Sequence, residues 1–146
     1  MHSGGYSLNF VPYISMHYLE DERQRAATLA AMQAFQAPVS IIIKEIGGEG
    51  LMDYEVESMG KIFLCAEMAG AGMFSPSALK IAETGIRNLL VHFGLRPGEI
   101  QTRESQGQPP PITMEIPASL SSATGSTPAN SWAKSIPLST SSGSPA

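Results

Sequence analysis

Segments with strand-like and helix-like patterns alternate along the first 98 residues, and this alternation limits the chain to an α/β architecture. Ser40–Ile46 and Lys61–Met68 are rich in β-branched and other apolar residues, which is typical of buried strands. Phe10–His17 is predicted to be a shorter strand that follows the Gly4–Gly5 turn. We therefore expect a mostly parallel or mixed sheet with flanking helices.

Two segments between and after these strands carry helical periodicity. Glu22–Phe35 is predicted to be a helix that is capped by Asp21 and closed by Pro38. Its apolar stripe contains Ala26, Leu29, Met32 and Phe35.

The clearest helix signal begins at Ser75, where a capping hydroxyl precedes Pro76 in the first turn. Gly94 is the expected stop, as a left-handed residue after the last turn. The predicted buried face contains Leu79, Ala82, Ile86, Leu89, Leu90 and Phe93.

The composition changes near residue 98. Residues 99–117 are interpreted as a linker and the start of a truncated β-rich region, and residues 118–146 as a disordered tail of Ser, Thr, Ala, Gly and Pro.

The net charge of -4 argues against nucleic acid as a partner. The apolar runs are too short to cross a membrane. The single Cys65 excludes an internal disulfide, favours a reducing, cytoplasmic location, and is expected to be a small buried hydrophobic residue.

A few polar residues could perform chemistry. His2, at the start of the chain, is either a solvated side chain or part of a site. Glu67 follows an apolar run, so its carboxylate is expected either at a solvated strand end or in a polar site. His17 and His92 are interpreted as structural, and the acidic stretch 45–57 as a solvated loop.

Three motifs resemble the succinylglutamate desuccinylase/aspartoacylase family, and in particular its N-acetyl-diaminobutyrate deacetylases. His2-Ser3-Gly4-Gly5 is similar to the family's Asp-x-His-Ser-Gly-Gly. The segment 60–72 is similar to Gly-Lys-Val-Phe followed by Glu-Leu-Gly-Gly-Gly-Gly. Glu83–Leu90 is similar to the helix Gly-x-Arg-Asn-Val-Leu. The resemblance covers residues 2–98 and implies part of a zinc-carboxypeptidase-like fold.

The resemblance also implies a chemistry. His2 would be a zinc ligand, and Glu67 the general base that activates a metal-bound water. The substrate would be a small N-acyl amino acid derivative, cleaved at its amide bond. The family's His-Gly-x-Glu zinc ligands and its substrate-binding arginines have no counterpart in the printed sequence, and Met1 occupies the position before His2.

We therefore expect residues 1–98 to be the C-terminal half of a deacylase catalytic domain that is inactive in isolation. The alternative is a noncatalytic α/β module that binds a partner such as the missing N-terminal half. Residues after about 118 are either an ordinary disordered tail or out-of-frame translation. The out-of-frame interpretation rests on the possible codons for Ser131–Ile136. If these codons are read one base earlier, they can encode the family's Leu-Gly-acid-Val pattern.

Overall fold

The computed structural model describes residues 1–44, 50–73 and 75–117, and the predicted disordered tail lies outside these ranges. Within them the chain forms the strands β1 (Tyr13–His17), β2 (Val39–Ile43), β3 (Cys65–Glu67) and β4 (Ile112–Ile116), the helices α1 (Glu22–Phe35), α2 (Met52–Ser58) and α3 (Pro76–His92), and a short 3-10 turn at Glu104–Gln106. The order of the sheet is β3-β1-β2-β4. β1–β2 and β2–β4 are parallel, and β3 runs antiparallel to β1, which confirms the predicted mixed α/β architecture.

The helix boundaries agree with their sequence signals. The Asp21 carboxylate accepts a hydrogen bond from the Gln24 N–H at 2.7 Å, and α1 begins at the next residue after this cap. The Ser75 hydroxyl caps α3 in the same way, and Gly94 follows the helix with a positive φ of 68°. In the described parts of the chain, none of the helices is long and apolar enough to cross a bilayer.

β3 is shorter than the predicted strand Lys61–Met68 because only Cys65–Glu67 pair with β1. On the other edge of β3, His2 forms an isolated bridge: its N–H donates to the Ala66 carbonyl at 2.7 Å, and its carbonyl accepts from the Met68 N–H at 2.8 Å. Among the described residues, 61–64 have no neighbouring strand on this side, so their strand-like composition does not produce a hydrogen-bonded ladder. The first strand likewise begins at Tyr13 rather than Phe10.

The two faces of the sheet differ because successive side chains of a strand point to opposite sides. Ile14 and Met16 of β1 and Ala66 of β3 belong to the hydrophobic core, which is covered by α1 and α3. Of the alternate residues of these two strands, Tyr13, His17, Cys65 and Glu67 are only partly buried, and the one that is buried, Ser15, is polar. One face is therefore packed, and the other is available for polar groups.

The predicted buried face of α3 is wrong for four of its six members. Leu79, Ile86, Leu90 and Phe93 are exposed, whereas α3 buries Ala78, Ala82, Gly85 and Asn88. The small residues face inward because the buried Phe35 ring of α1 lies directly against Gly85, where a Cβ atom would have no room. In α1, Met32 and Phe35 are buried as predicted, but Ala26 is exposed.

The acidic stretch is not entirely a loop. Its described part contains the helix α2, and two of its carboxylates contact the imidazole of His17. His17 Nδ1 lies 2.8 Å from a carboxylate oxygen of Glu57, and Nε2 lies 3.7 Å from Asp53. The contacts hold α2 at the C-terminal end of β1, which agrees with a structural role for His17.

β4 lies in the segment 99–117, which the composition indicates to be a linker and the start of a β-rich region, without a pattern that defines the bounds of a strand. Its five residues pair in parallel with β2, from Val39↔Ile112 to Ile43↔Ile116. Lys44 Nζ lies 2.8 Å from Glu115, and this ion pair raises the pKa of Lys44. Four of the five β4 residues are exposed, so the strand lacks the apolar pattern of a buried one.

Asn88 joins α3 to the segment that leads to β4. Its side chain is fully buried, donates to the Gln101 carbonyl at 3.0 Å, and accepts from the Gln101 N–H at 2.9 Å. We expect Asn88→Ala to lower the free energy of unfolding by about 1–3 kcal/mol, because both backbone groups of Gln101 lose their partner. Urea denaturation measures this loss. Arg87→Ala, at the exposed neighbouring position, is the control, and an equal loss in both variants would contradict the role of the paired amide.

Candidate active site

The structure brings together the two candidate site residues, His2 and Glu67, which are 65 positions apart in the sequence. His2 and Glu67 form a parallel β-bridge, which places their side chains on the same side of the sheet. His2 Nδ1 lies 3.2 Å from Glu67 Oε1. The His2 side chain is 69% exposed and that of Glu67 only 15%, so the carboxylate forms the floor of the site and the imidazole its rim.

Two glycines allow this arrangement because the loops after His2 and after Glu67 touch through their backbones. A Cβ atom on Gly4 would lie 2.5 Å from the Leu8 carbonyl oxygen and 2.8 Å from that of Ala69. A Cβ atom on Gly70 would lie 2.9 Å from the Gly4 Cα, and the φ of Gly70 is 144°. Glycine is required at both positions for the loops to approach so closely. This contact fixes the position of His2 relative to Glu67.

Cys65 is a third polar group in the site, and the expectation of a small buried hydrophobic residue does not describe it. The thiol is only partly buried, and the donor atoms of His2, Cys65 and Glu67 all lie within 4.8 Å of one another. Burial raises the pKa of the Cys65 thiol, and the neighbouring Glu67 carboxylate raises it further. The spacing between Cys65 and Glu67 could have revealed the thiol, since residues two apart in a strand share a face.

Tyr13 lies opposite Glu67 in the β1–β3 pairing and on the same face of the sheet. Its pKa is raised, first by burial and then by the charges of Glu67 and Cys65. The Tyr13 hydroxyl is therefore held in its neutral form beside the carboxylate, where it can act as a hydrogen-bond donor. No motif or spacing in the sequence points to Tyr13.

The chemistry of these side chains fits zinc, although the described set is incomplete. Imidazole nitrogen, carboxylate oxygen and thiolate sulfur are the ligands that zinc takes in proteins. Glu67 Oε2 is buried and has no hydrogen-bond partner among the described residues. A buried carboxylate oxygen without a partner is costly, and a cation or a bound water would satisfy it.

The comparisons with known proteins decide the family. Residues 1–93 match the succinylglutamate desuccinylase/aspartoacylase catalytic domain. The chain belongs to this family. Its relatives in the family include the N-alpha-acetyl-L-2,4-diaminobutyric acid deacetylase of Halomonas elongata, which is 40% identical over 117 residues, or 80% of this chain and 33% of the relative.

Solved structures of the desuccinylase/aspartoacylase family have the same fold. A succinylglutamate desuccinylase from Silicibacter sp. is 43% identical to this chain, with a TM-score of 0.70. The match covers 79% of this chain and 33% of the desuccinylase chain. The product-bound ectoine utilization protein EutE (DoeB) from Ruegeria pomeroyi is 40% identical, with a TM-score of 0.69. The match covers 80% of this chain and 33% of the EutE chain. The chain spans about a third of the length of these relatives, which fits the interpretation of part of a longer catalytic domain.

Proposed function

We propose that the chain is part of a zinc-dependent amidohydrolase that removes an N-acyl group from a small amino acid derivative. The observation that carries the proposal is the 3.2 Å separation between His2 Nδ1 and Glu67 Oε1, on a chain whose relatives are deacetylases and desuccinylases. His2 is the proposed zinc ligand and Glu67 the proposed general base. The single cysteine supports a reducing, cytoplasmic location.

The side chains of this chain would handle the proton. The Glu67 carboxylate accepts a proton from the attacking water and then, as the carboxylic acid, gives it to the leaving amine. The Glu67 side chain is only 15% exposed, which limits its mobility, and the 69% exposed His2 side chain leaves the site open for a substrate to approach. Zinc, when bound, supplies the lowered pKa of the water and polarises the amide carbonyl.

The described residues do not complete a hydrolytic zinc site. Catalytic zinc sites take three protein ligands and leave one position for water. His2 is the only histidine in the metal-ligand group, because His17 is engaged with α2 at the opposite end of β1 and His92 lies at the end of α3. We therefore propose that the remaining ligands and the substrate-binding groups come from the part of the relatives' length that this chain does not match.

Reassembly of the catalytic domain tests the proposal. We expect the chain, co-expressed with the unmatched N-terminal portion of the Halomonas elongata deacetylase, to hydrolyse N-acetyl-diaminobutyrate when zinc is present. Release of acetate is the measurement. Neither portion should act alone, and a chelator should abolish the activity of the pair.

A matched control uses the His2→Ala chain in the same pair. It retains the helices and the core, so a loss of activity reports on the metal ligand rather than on assembly. Co-purification of the two portions without hydrolysis, under zinc-replete conditions, would contradict the proposed enzyme function.

That same outcome would favour the second candidate function, a noncatalytic module that binds a partner. The observation in its favour is the amount of apolar surface that the described chain leaves uncovered. Leu79, Ile86 and Leu90 of α3 and Phe93 just after it are exposed, and an open groove of about 290 Å³ beside His2 is lined mainly by methionine, leucine and alanine. Such surfaces are typical of interfaces.

A further inference from the structure

We propose that Cys65 is a metal ligand, and that the chain by itself binds one soft divalent cation through His2, Cys65 and Glu67, whose donor atoms lie within 4.8 Å of one another. The inference rests on the proposed function only for the role of His2 as a ligand. It goes beyond that function in assigning the thiol to the metal and in giving Glu67 a different role when the chain is alone.

The backbone alone brings the three side chains together. Cys65 and Glu67 are two residues apart in β3 and share one face of the sheet, while Ala66 between them points into the core. The β-bridge with Glu67 places His2 on the same face, across the outer edge of β3. Two backbone hydrogen bonds, of 2.7 Å and 2.8 Å, hold His2 in this register. The grouping therefore follows from strand pairing as well as from side-chain orientation.

The donor atoms are spaced closely enough for a tetrahedral cation. Ligand atoms bound to one tetrahedral zinc at the usual bond lengths lie about 3.3–3.8 Å from each other. The His2–Glu67 separation is 3.2 Å, and every separation in the group is within 4.8 Å, so small side-chain rotations bring all three atoms to ligand distance. The second oxygen of Glu67 is buried without a partner in the described chain, which leaves this carboxylate unsatisfied until a cation or a donor meets it.

The combination of donors identifies the class of cation. Thiolate and imidazole favour zinc and its cobalt substitute over magnesium or calcium, which prefer oxygen ligands. In the chain alone Glu67 binds the cation, and a carboxylate bound in this way is no longer free to accept a proton from water. The site therefore holds metal without hydrolysing amides. In the reassembled domain, ligands from the other portion release Glu67 for its role as the base.

Cobalt titration of the full chain tests the inference directly. Cys65 is the only cysteine, so a thiolate-to-cobalt charge-transfer band in the near-ultraviolet can arise only from its sulfur. We expect the band to saturate at one equivalent of Co²⁺, to decline as Zn²⁺ displaces cobalt, and to be absent in Cys65→Ser. His2→Ala and Glu67→Gln should each bind about tenfold more weakly or worse, because each loses a donor. His92→Gln, at a histidine outside the group, should leave the titration unchanged.

Two results would overturn the inference. One is a chain whose far-ultraviolet circular dichroism shows the expected helices but which gives no charge-transfer band with Co²⁺. The other is a band of full strength in both His2→Ala and Glu67→Gln, which would mean that the thiol binds cobalt without the proposed site. Either result can coexist with zinc-dependent hydrolysis by the reassembled pair, so a failure of this inference is distinguishable from a failure of the proposed function.

Discussion

Glu67→Gln should lower the kcat of the reassembled enzyme by about 10²–10⁴-fold, the usual contribution of a general base. Glutamine keeps the size and the hydrogen-bonding oxygen of the side chain but cannot accept a proton from water. The zinc content and the KM of the pair should change little, because His2 and the other portion supply the metal ligands and the substrate contacts. Steady-state kinetics with metal analysis of the same samples separate these quantities.

Glu83→Gln provides the matched control, since it makes the same chemical change at an exposed position of α3. It should leave kcat unchanged. If the Glu67→Gln pair hydrolysed the substrate as fast as the unmodified pair, Glu67 could not be the base, and its closeness to His2 would have only a structural meaning.

Local signals predicted α1 and α3 well because a helix is determined largely by residues close in sequence, whereas α2 has no side-chain cap and was interpreted as a loop. The Asp21 and Ser75 caps, the Pro76 first turn and the Gly94 stop are each visible within a few residues of the boundary that they set. The buried face of α3 could not be predicted in this way. Which of its sides packs inward depends on the Phe35 ring, fifty residues away, which has room only beside Gly85.

The strands were harder to delimit because a strand exists only where another strand lies beside it. The composition of Lys61–Met68 favours a strand throughout, yet only the residues next to β1 form one. β4 lies in the segment interpreted as a linker and the start of a β-rich region, but its bounds could not be predicted, because an exposed edge strand lacks a strong apolar pattern and derives its structure from its pairing with β2.

For the candidate site, the motif resemblance supplied His2 and Glu67, and the structure supplied their separation. Neither residue type alone distinguishes a ligand from a solvated side chain. Cys65 and Tyr13 had no motif, and they join the site only because the alternation of β1 and β3 puts them on the same face. The grouping of the four residues is therefore a property of sheet register rather than of local sequence.

The loop contact that holds His2 beside Glu67 leads to a prediction about Gly70. Gly70→Ala should lower the free energy of unfolding by about 2–4 kcal/mol, because it combines an unfavourable backbone φ with a collision against the Leu8 carbonyl and the Gly4 backbone. The same change should weaken cobalt binding, since the loop that positions His2 has to move away from Glu67. Urea denaturation and the cobalt titration give the two values.

Two further alanine substitutions separate the causes. Gly94→Ala tests backbone strain alone, because its φ is +68° but nothing lies within 4 Å of the added Cβ, and it should cost about 1–2 kcal/mol without affecting cobalt binding. Gly4→Ala tests the collision with little backbone strain and should weaken cobalt binding as Gly70→Ala does. Gly70→Ala could instead behave like Gly94→Ala in both measurements. In that case the close approach of the two loops would not position the His2 imidazole, and the two backbone hydrogen bonds of His2 would be sufficient to position it.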